Sequence, residues 1–363
     1  MSRPRLRDDL ALVEGYHSPQ VDVRVRLNTN EAAEAPPEAF TRAIAARLDG
    51  IAWNRYPDRA AAALRDRIAE VESEDGPWSF TGRNVVAANG SNEVLQSLAL
   101  AYGGPGRTAL CFEPSYALHA HIARVCGTVV VERERRDDFT LDVDDALAAI
   151  AAECPSIVFL CSPNNPTGRI EEPSVISAVL DAVESVGGLL VVDEAYGQFA
   201  ASSALALVDE SRSVVVTRTF SKTWSAAALR LGYLIGPEWL VADVTQVLLP
   251  YHLDAFTQLA GLVALDFADE MGERVRGIVA ERERLVAGLD DLGVEQWPSG
   301  ANFVLFRPPG RSGDDVWQGL LDRSVLVRNC SSWPRLDGCL RVTVGTPDEN
   351  DAFLSALGEV LAD

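Results

Sequence analysis

Hydrophobic positions along this chain follow two rhythms, and the change between them divides it. From residue 85 to residue 235, short runs apolar at nearly every position alternate with stretches whose apolar residues recur every three or four. The runs Val85–Ala88, Thr108–Phe112, Val129–Glu132, Ile157–Cys161, Leu189–Val192, Val214–Val216 and Leu231–Ile235 read as strands. Between them, Val94, Leu95, Leu98 and Tyr102 share one helical face after Gly90-Ser91-Asn92. Further helices are expected at Ser115–Val125, at Asp142–Glu153 with Asp142 as cap, and at Pro173–Val186. Strand–helix alternation with strands this apolar predicts an α/β fold, a mostly parallel sheet covered by helices on both faces.

The flanks differ. Upstream, Leu6–Val13 reads as a short helix and Val21–Leu27 as a strand. Pro36 and Pro37 open a helix to about Leu48, and an Ala-rich helix runs from about Arg59 to Val71. Beyond Pro250-Tyr251-His252 one long helical region spans roughly Asp254 to Leu289. Strands follow at Asn302–Phe306, Val325–Arg328 and Leu340–Val344, with helices at Asp314–Asp322 and Glu349–Leu361. The expected division is an arm over 1–30, a large domain over 31–253 and a smaller α+β domain over 254–363. A length of 363 residues suits two domains better than one core.

Charge narrows the partners. A net charge of −21 and a pI near 4.6 repel nucleic acid and anionic membrane, and no apolar run approaches membrane-spanning length. An anionic substrate would need a local arginine cluster to overcome that field. The basic N-terminus lacks the apolar stretch of a signal peptide. Six scattered cysteines without a CxxC pair suit reduced thiols in a cytoplasmic protein. The four histidines show no metal-ligand spacing, and no metal is expected. His119 and His121 point apart on a helix.

One compositional fact does point to chemistry. Of the 32 basic residues only Lys222 is lysine, and the other 31 are arginine. Lysine can lose its proton, attack a carbonyl and form a Schiff base; arginine stays charged. In open α/β sheets ligands bind beyond the carboxyl ends of the strands. Those ends carry Gly90-Ser91-Asn92, the loop with Asn165, Asp193-Glu194 with Tyr196, and Thr219, Ser221 and Lys222. A helix start at Gly90-Ser91-Asn92 offers backbone N–H groups to a phosphate, and Thr219, Ser221 and Arg230 can add donors. Arg230 lies two turns past Lys222 if that segment is helical and reaches back only if it bends. Asp193 can keep a pyridinium nitrogen protonated, and Lys222 can form an imine. Each stretch alone has a plainer reading: an N-cap, a solvated strand end, a rigid turn, a surface lysine. Together, in this order, they describe pyridoxal 5′-phosphate.

Ser162-Pro163-Asn164-Asn165-Pro166-Thr167-Gly168, Asp193-Glu194-Ala195-Tyr196 and Ser221-Lys222 with Arg230 resemble the fold-type I pyridoxal-phosphate enzymes of the class I/II aminotransferase group. Asn54-Arg55-Tyr56-Pro57-Asp58, Leu249-Pro250-Tyr251-His252 and Leu340-Arg341-Val342-Thr343-Val344-Gly345 are similar to its histidinol-phosphate branch. The resemblance covers nearly the whole chain. It implies that Lys222 holds the cofactor as a Schiff base and later moves a proton at the substrate carbon, with Asp193 on the ring nitrogen. It implies Asn165 and Tyr196 on the 3′-oxygen and Tyr116 against the ring. Ser91, Asn92, Thr219, Ser221 and Arg230 would hold the phosphate, helped by Tyr56 from the second subunit of a homodimer. Arg341 would bind the carboxylate of glutamate and the phosphate of the other substrate, with Arg328 beside it. Tyr16, Asn30, Tyr56 and Asn165 would also meet substrate. The implied substrates are a phosphorylated amino compound and a 2-oxo acid. Two departures fall in the arm: Asn30-Glu31 runs into Ala32-Ala33-Glu34-Ala35, and Gly15 rather than proline precedes Tyr16. Relatives that decarboxylate threonine phosphate, or that transaminate aromatic amino acids, share much of this pattern. A transcriptional regulator would need an added helix-turn-helix and a basic surface, for which this chain has neither length nor charge.

Overall fold

Seven strands form the larger of two sheets in the computed structural model, which describes residues 3–7, 10, 21–74 and 76–363. The chain starts with β1 (Val25–Leu27), α1 (Glu38–Arg47) and α2 (Ala62–Glu74). It then builds β2 (Val85–Ala88), α3 (Ser91–Tyr102), β3 (Thr108–Glu113), α4 (Leu118–Val125), β4 (Val129–Glu134) and α5 (Val143–Glu153). Next come β5 (Ile157–Cys161), α6 (Pro173–Ser185), β6 (Leu189–Asp193), β7 (Val214–Thr219) and β8 (Gly232–Ile235). The large sheet runs in the order β2-β8-β7-β6-β5-β3-β4, and β8 alone is antiparallel to its neighbours.

Alternation along each strand feeds two cores. Leu110, Val158, Leu160, Leu190, Val192, Val214 and Val216 join α2, α5 and α6 on one face. Ala109, Cys111, Ile157, Phe159, Leu189, Val191 and Val215 join α3 and α4 on the other. Each fully buried branched or aromatic side chain contributes about 1.5–3 kcal/mol, so both faces are secured by the runs that predicted them. The register sets Cys161, Asp193 and Thr217 side by side, so the loops after β5, β6 and β7 leave the sheet at one level.

The chain continues through α7 (Glu238–Thr245), α8 (Ala255–Leu265), α9 (Ala268–Asp291), β9 (Glu295–Gln296), β10 (Phe303–Arg307), α10 (Gly313–Asp322), β11 (Val325–Asn329), β12 (Leu340–Thr343) and α11 (Pro347–Ala362). The second sheet has the order β1-β11-β12-β10-β9. Its arm strand β1 runs parallel to β11, with Val25 beside Val325 and Leu27 beside Val327. Val304, Phe306, Val325, Val327, Leu340 and Val342 pack on one face against α9, α10 and α11. The alternate positions Arg328, Arg341 and Thr343 therefore face the other way, toward the large sheet.

Several elements differ from expectation. The region Asp254–Leu289 is two helices, broken at Asp266–Phe267. Asp254 caps the first by accepting from the Thr257 N–H at 2.8 Å. Phe267, at the start of the second helix, sits edge-on to Phe40 at 6.0 Å. Ala260, Val263 and Ala264 of α8 are buried in the large sheet's core, although the sequence division assigned 254 onward to the small domain. Of Val21–Leu27 only β1 pairs. The helix expected at Ser115–Val125 begins at Leu118, and α7 and β9 carried no sequence signal strong enough to mark them. Most of Leu6–Val13 lies outside the described residues. Among the described residues no helix is long and apolar enough to cross a membrane.

Candidate active site

The site is built where the carboxyl ends of β5, β6 and β7 face the second sheet. A cavity of about 1100 Å³, counted out to its open mouth, lies there. Twelve of the residues singled out in the sequence line it: Asn30, Ser91, Asn92, Tyr116, Asn165, Asp193, Tyr196, Thr219, Ser221, Lys222, Arg230 and Arg341.

One end is a cluster of donors. The antiparallel β8 puts Gly232 beside Ala88 and Thr219, which carries the start of α3 against the end of β7. A Cβ on Gly232 would come within 2.2 Å of the Ser91 nitrogen, so only glycine allows that approach. Gly90 has φ +80°, and a Cβ there would meet Arg230 Nη2 at 2.9 Å. The chain from Lys222 to Arg230 is not an α-helix but a bend that ends in a single 3-10 turn at Ala227–Leu229. Ser225 and Arg230 both take positive φ, and the segment bends so that Arg230 Nη1 donates to Ser221 Oγ at 3.4 Å. Thr219 Oγ1 donates to Ser221 Oγ at 3.0 Å. Helix start, two hydroxyls and a guanidinium thus converge on one small space; the Glu93 carboxylate in that helix's first turn is taken by Asn89 and does not line the cavity.

Asp193 ends β6 and is 2% exposed. One carboxylate oxygen accepts from the Ala195 N–H at 3.0 Å, and the other lies 2.8 Å from His119 Nε2. The His119 ring is stacked on Phe159 at 5.1 Å and meets Tyr116 edge-on at 5.3 Å. Tyr116 in turn donates from its hydroxyl to Asn92 Oδ1 at 3.1 Å. A chain of contacts therefore runs from the helix start through Tyr116 and His119 to Asp193.

Lys222 Nζ donates to the Thr29 carbonyl at 3.0 Å and stands 5.8 Å from the Tyr196 ring centroid. Burial, then Arg341 and Arg230, disfavour its ammonium form; Glu31 opposes them, and the amine's pKa falls to about 8. Glu31 lines the cavity, held by Thr29 Oγ1 at 2.7 Å and Arg26 at 3.3 Å. Tyr196 accepts from Asn30 Nδ2 at 2.9 Å, and burial raises its hydroxyl to about 12, against the pull of Arg341.

Arg341 closes the opposite end. It is 5% exposed, hydrogen-bonds Asn165 Oδ1 and donates to the Asn28 carbonyl at 3.1 Å. Its guanidinium carbon lies 5.0 Å from the Phe303 ring centroid, and its Nε has no partner. No carboxylate pairs with Arg341 among the described residues, so a buried positive charge faces the cavity uncompensated.

Three expected residues stand apart. Arg328 does not line the cavity; it faces Arg341 across the strand pair, with its guanidinium carbon 5.3 Å from the Trp333 ring centroid. Tyr56 is 79% exposed and stacked on Tyr251 at 4.4 Å, away from its own cavity. Tyr16 lies outside the described residues. Sequence reasoning missed His119, Glu31 and Trp333. From sequence His119 is considered only as a metal ligand; its contact with Tyr116 comes from the turn that precedes α4. Glu31 and Trp333 sit on irregular chain, where no periodicity marks direction.

The donor set suits pyridoxal 5′-phosphate. The acid-free cradle at Gly90 suits its phosphate, Asp193 its ring nitrogen, Tyr116 its face, Asn165 and Tyr196 its ring oxygen, and Lys222 its aldehyde. The residues fit the group.

Residues 23–357 match the family described as aminotransferase class I and II. The chain is 48% identical to histidinol-phosphate aminotransferase from Frankia casuarinae, over 98% of this chain and 90% of that protein. It is 46% identical to the enzyme of the same name from Streptomyces avermitilis, over 98% and 96%. The histidinol-phosphate aminotransferase from Sinorhizobium meliloti, solved with pyridoxal 5′-phosphate, superimposes with a TM-score of 0.83 at 23% identity, covering 94% of this chain and 91% of that one.

Proposed function

The chain belongs to the class I and II aminotransferases, and from that premise we propose that it is a pyridoxal-phosphate-dependent transaminase of histidine biosynthesis. It would exchange the amino group between histidinol phosphate with 2-oxoglutarate and imidazole-acetol phosphate with glutamate. The observation that carries the reading is the shape of the charge. Lys222 stands between an acid-free donor cradle and a buried arginine without an acid of its own. Identities of 46–48% over nearly whole chains to enzymes of that name support the substrate.

When bound, pyridoxal 5′-phosphate supplies an aldehyde for the Lys222 amine and a ring that draws electron density from the carbon bearing the substrate's amine. The chain's residues do the rest. Ser91, Asn92, Thr219, Ser221 and Arg230 would anchor the phosphate and fix the ring's position. Asp193, oriented by His119 and the Ala195 N–H, would hold the ring nitrogen's proton. Tyr116 would cover one face. Arg341 would grip the substrate's anion, carboxylate or phosphate, through charge-assisted bonds. Burial and the neighbouring arginines favour Lys222 Nζ as the neutral amine, the form that would take the proton from the substrate carbon.

We take the working unit as a homodimer in a reduced, cytoplasmic setting. The support is that Tyr56, Trp53 and Leu249 are strongly exposed apolar surface, and Tyr56 does not line its own cavity. All six cysteines are free thiols. Mixing Lys222→Ala with Tyr56→Ala subunits should restore activity that neither variant has alone; no restoration would refute a shared site. We further propose an arm ending in β1, a large unit that includes α8, and a small unit built on α9, α10 and α11.

A half-reaction assay tests the substrate. The pyridoxal form, mixed with histidinol phosphate, should convert to the pyridoxamine form far faster than with phenylalanine. Faster conversion by phenylalanine would favour an aromatic aminotransferase, and carbon dioxide release from threonine phosphate would overturn the transaminase reading.

A further inference from the structure

The loop between β11 and β12 brings one unassigned side chain to the cavity, and it is built to hold that side chain still. Its base is closed by the Cys330 N–H donating to the Cys339 carbonyl at 3.0 Å. Inside it, Trp333 N–H donates to Cys330 O at 2.9 Å, Leu336 N–H to Trp333 O at 3.1 Å and Cys339 N–H to Leu336 O at 2.8 Å. Arg335, at φ +62°, reaches across to the large sheet, bonding Asp137 and the Arg135 carbonyl and pairing with Glu134 at 3.3 Å. The loop is thus tied to both units, and Trp333 lines the cavity between them.

Trp333 stands at the arginine end. The Arg328 guanidinium lies 5.3 Å from its ring centroid, and Arg328 is the register partner of Arg341 on the next strand. Among the described residues the Trp333 indole N–H makes no hydrogen bond, and the residue borders the cavity. A guanidinium against the ring draws electron density from it and makes the N–H a better donor to an anion.

We propose that Trp333 is a specificity-determining residue, donating its indole N–H to the phosphate of the amino substrate. This rests on the function proposed above. The physical reason is reach. The carboxylate of glutamate is bonded directly to the reacting carbon, whereas the phosphate of histidinol phosphate is set off by a methylene and an oxygen. Both anions meet Arg341, and only the longer one extends past it to Trp333. A donor there favours the phosphate substrate over the carboxylate substrate in the same pocket.

The test is a ratio. In Trp333→Phe the ring stays and the donor is lost. The preference for histidinol phosphate over glutamate, as kcat/KM of the two half-reactions, should fall about tenfold, the scale of one hydrogen bond to a charged group. Trp333→His keeps a ring N–H and should recover part of it. Calorimetry should report the same loss in Trp333→Phe for an imidazole-bearing phosphate monoester without an amine, which binds but cannot react. An unchanged ratio, or equal losses with both amino donors, overturns the proposal, since equal losses mean that Trp333 acts only by supporting the arginines. If Trp333→Phe does not fold, Trp333→His decides alone, and loss of the preference there refutes the donor role. Failure of the function itself is separate: the wild-type pyridoxal form would then not convert with histidinol phosphate.

Discussion

Arg218 and Arg341 are both buried arginines on strands that border the cavity, and they solve burial in opposite ways. Arg218, on β7, donates to Glu194 at 2.8 and 3.2 Å, pairs with Glu72 and donates to Ser203 Oγ at 3.0 Å. The Tyr233 hydroxyl bonds the same Glu72. Burial lowers the Arg218 pKa, yet the two carboxylates outweigh it and hold the guanidinium above its usual value. Every charge there is met within the chain. Arg341 has an amide oxygen, a carbonyl and an aromatic face, and no acid. Isolated buried charge is costly, so a chain that leaves one unpaired beside a cavity has left room for a partner from outside. Charge balance, rather than burial, separates the structural arginine from the binding one.

Breaking the structural arginine should have the largest effect. Arg218→Leu strands Glu72 and Glu194 in the core, and we expect a loss of about 3–5 kcal/mol in urea unfolding. A variant as stable as the parent would show that the cluster is not what holds β7, β8 and α2 together. Arg341→Ala strands no acid, so its urea midpoint should stay near that of the parent. Its kcat/KM should fall about 100-fold, or ~3 kcal/mol, for histidinol phosphate and glutamate alike. Unchanged use of glutamate would refute the shared anion site.

Smaller effects sharpen the contrast through Lys222, the chain's single lysine. In the cofactor-free protein its reaction with trinitrobenzenesulfonate should titrate near pH 8, because burial and the arginines disfavour the ammonium. Reactivity therefore rises as pH climbs through 8. Arg341→Ala removes a positive neighbour and should move that midpoint up; a midpoint that stays put would mean the field of Arg341 does not reach the amine. Glu31→Gln removes the one neighbour that favours the ammonium and should move it slightly down.

Much of this is legible in the sequence alone. The apolar runs marked β2 and β5 to the residue, because strands buried on both faces leave no polar position to blur their ends. Strand-end position then collected Ser91, Asn92, Asn165, Asp193, Tyr196, Thr219, Ser221 and Lys222, since parallel register brings consecutive strand ends to one level. Tertiary contact decided the rest. The long helical region breaks into α8 and α9 at Asp266–Phe267, where Phe267 packs against Phe40. The bend from Lys222 to Arg230 depends on positive φ at Ser225 and Arg230, where propensity predicts nothing of the kind. His119 acquired its role from Asp193, 74 residues away, and Trp333 from a loop fastened across to Asp137. Sequence determines which side chains can do the chemistry and which strand ends present them, because burial and periodicity are local. Which anion reaches which donor is set by loops and long-range pairs, whose directions no local pattern records.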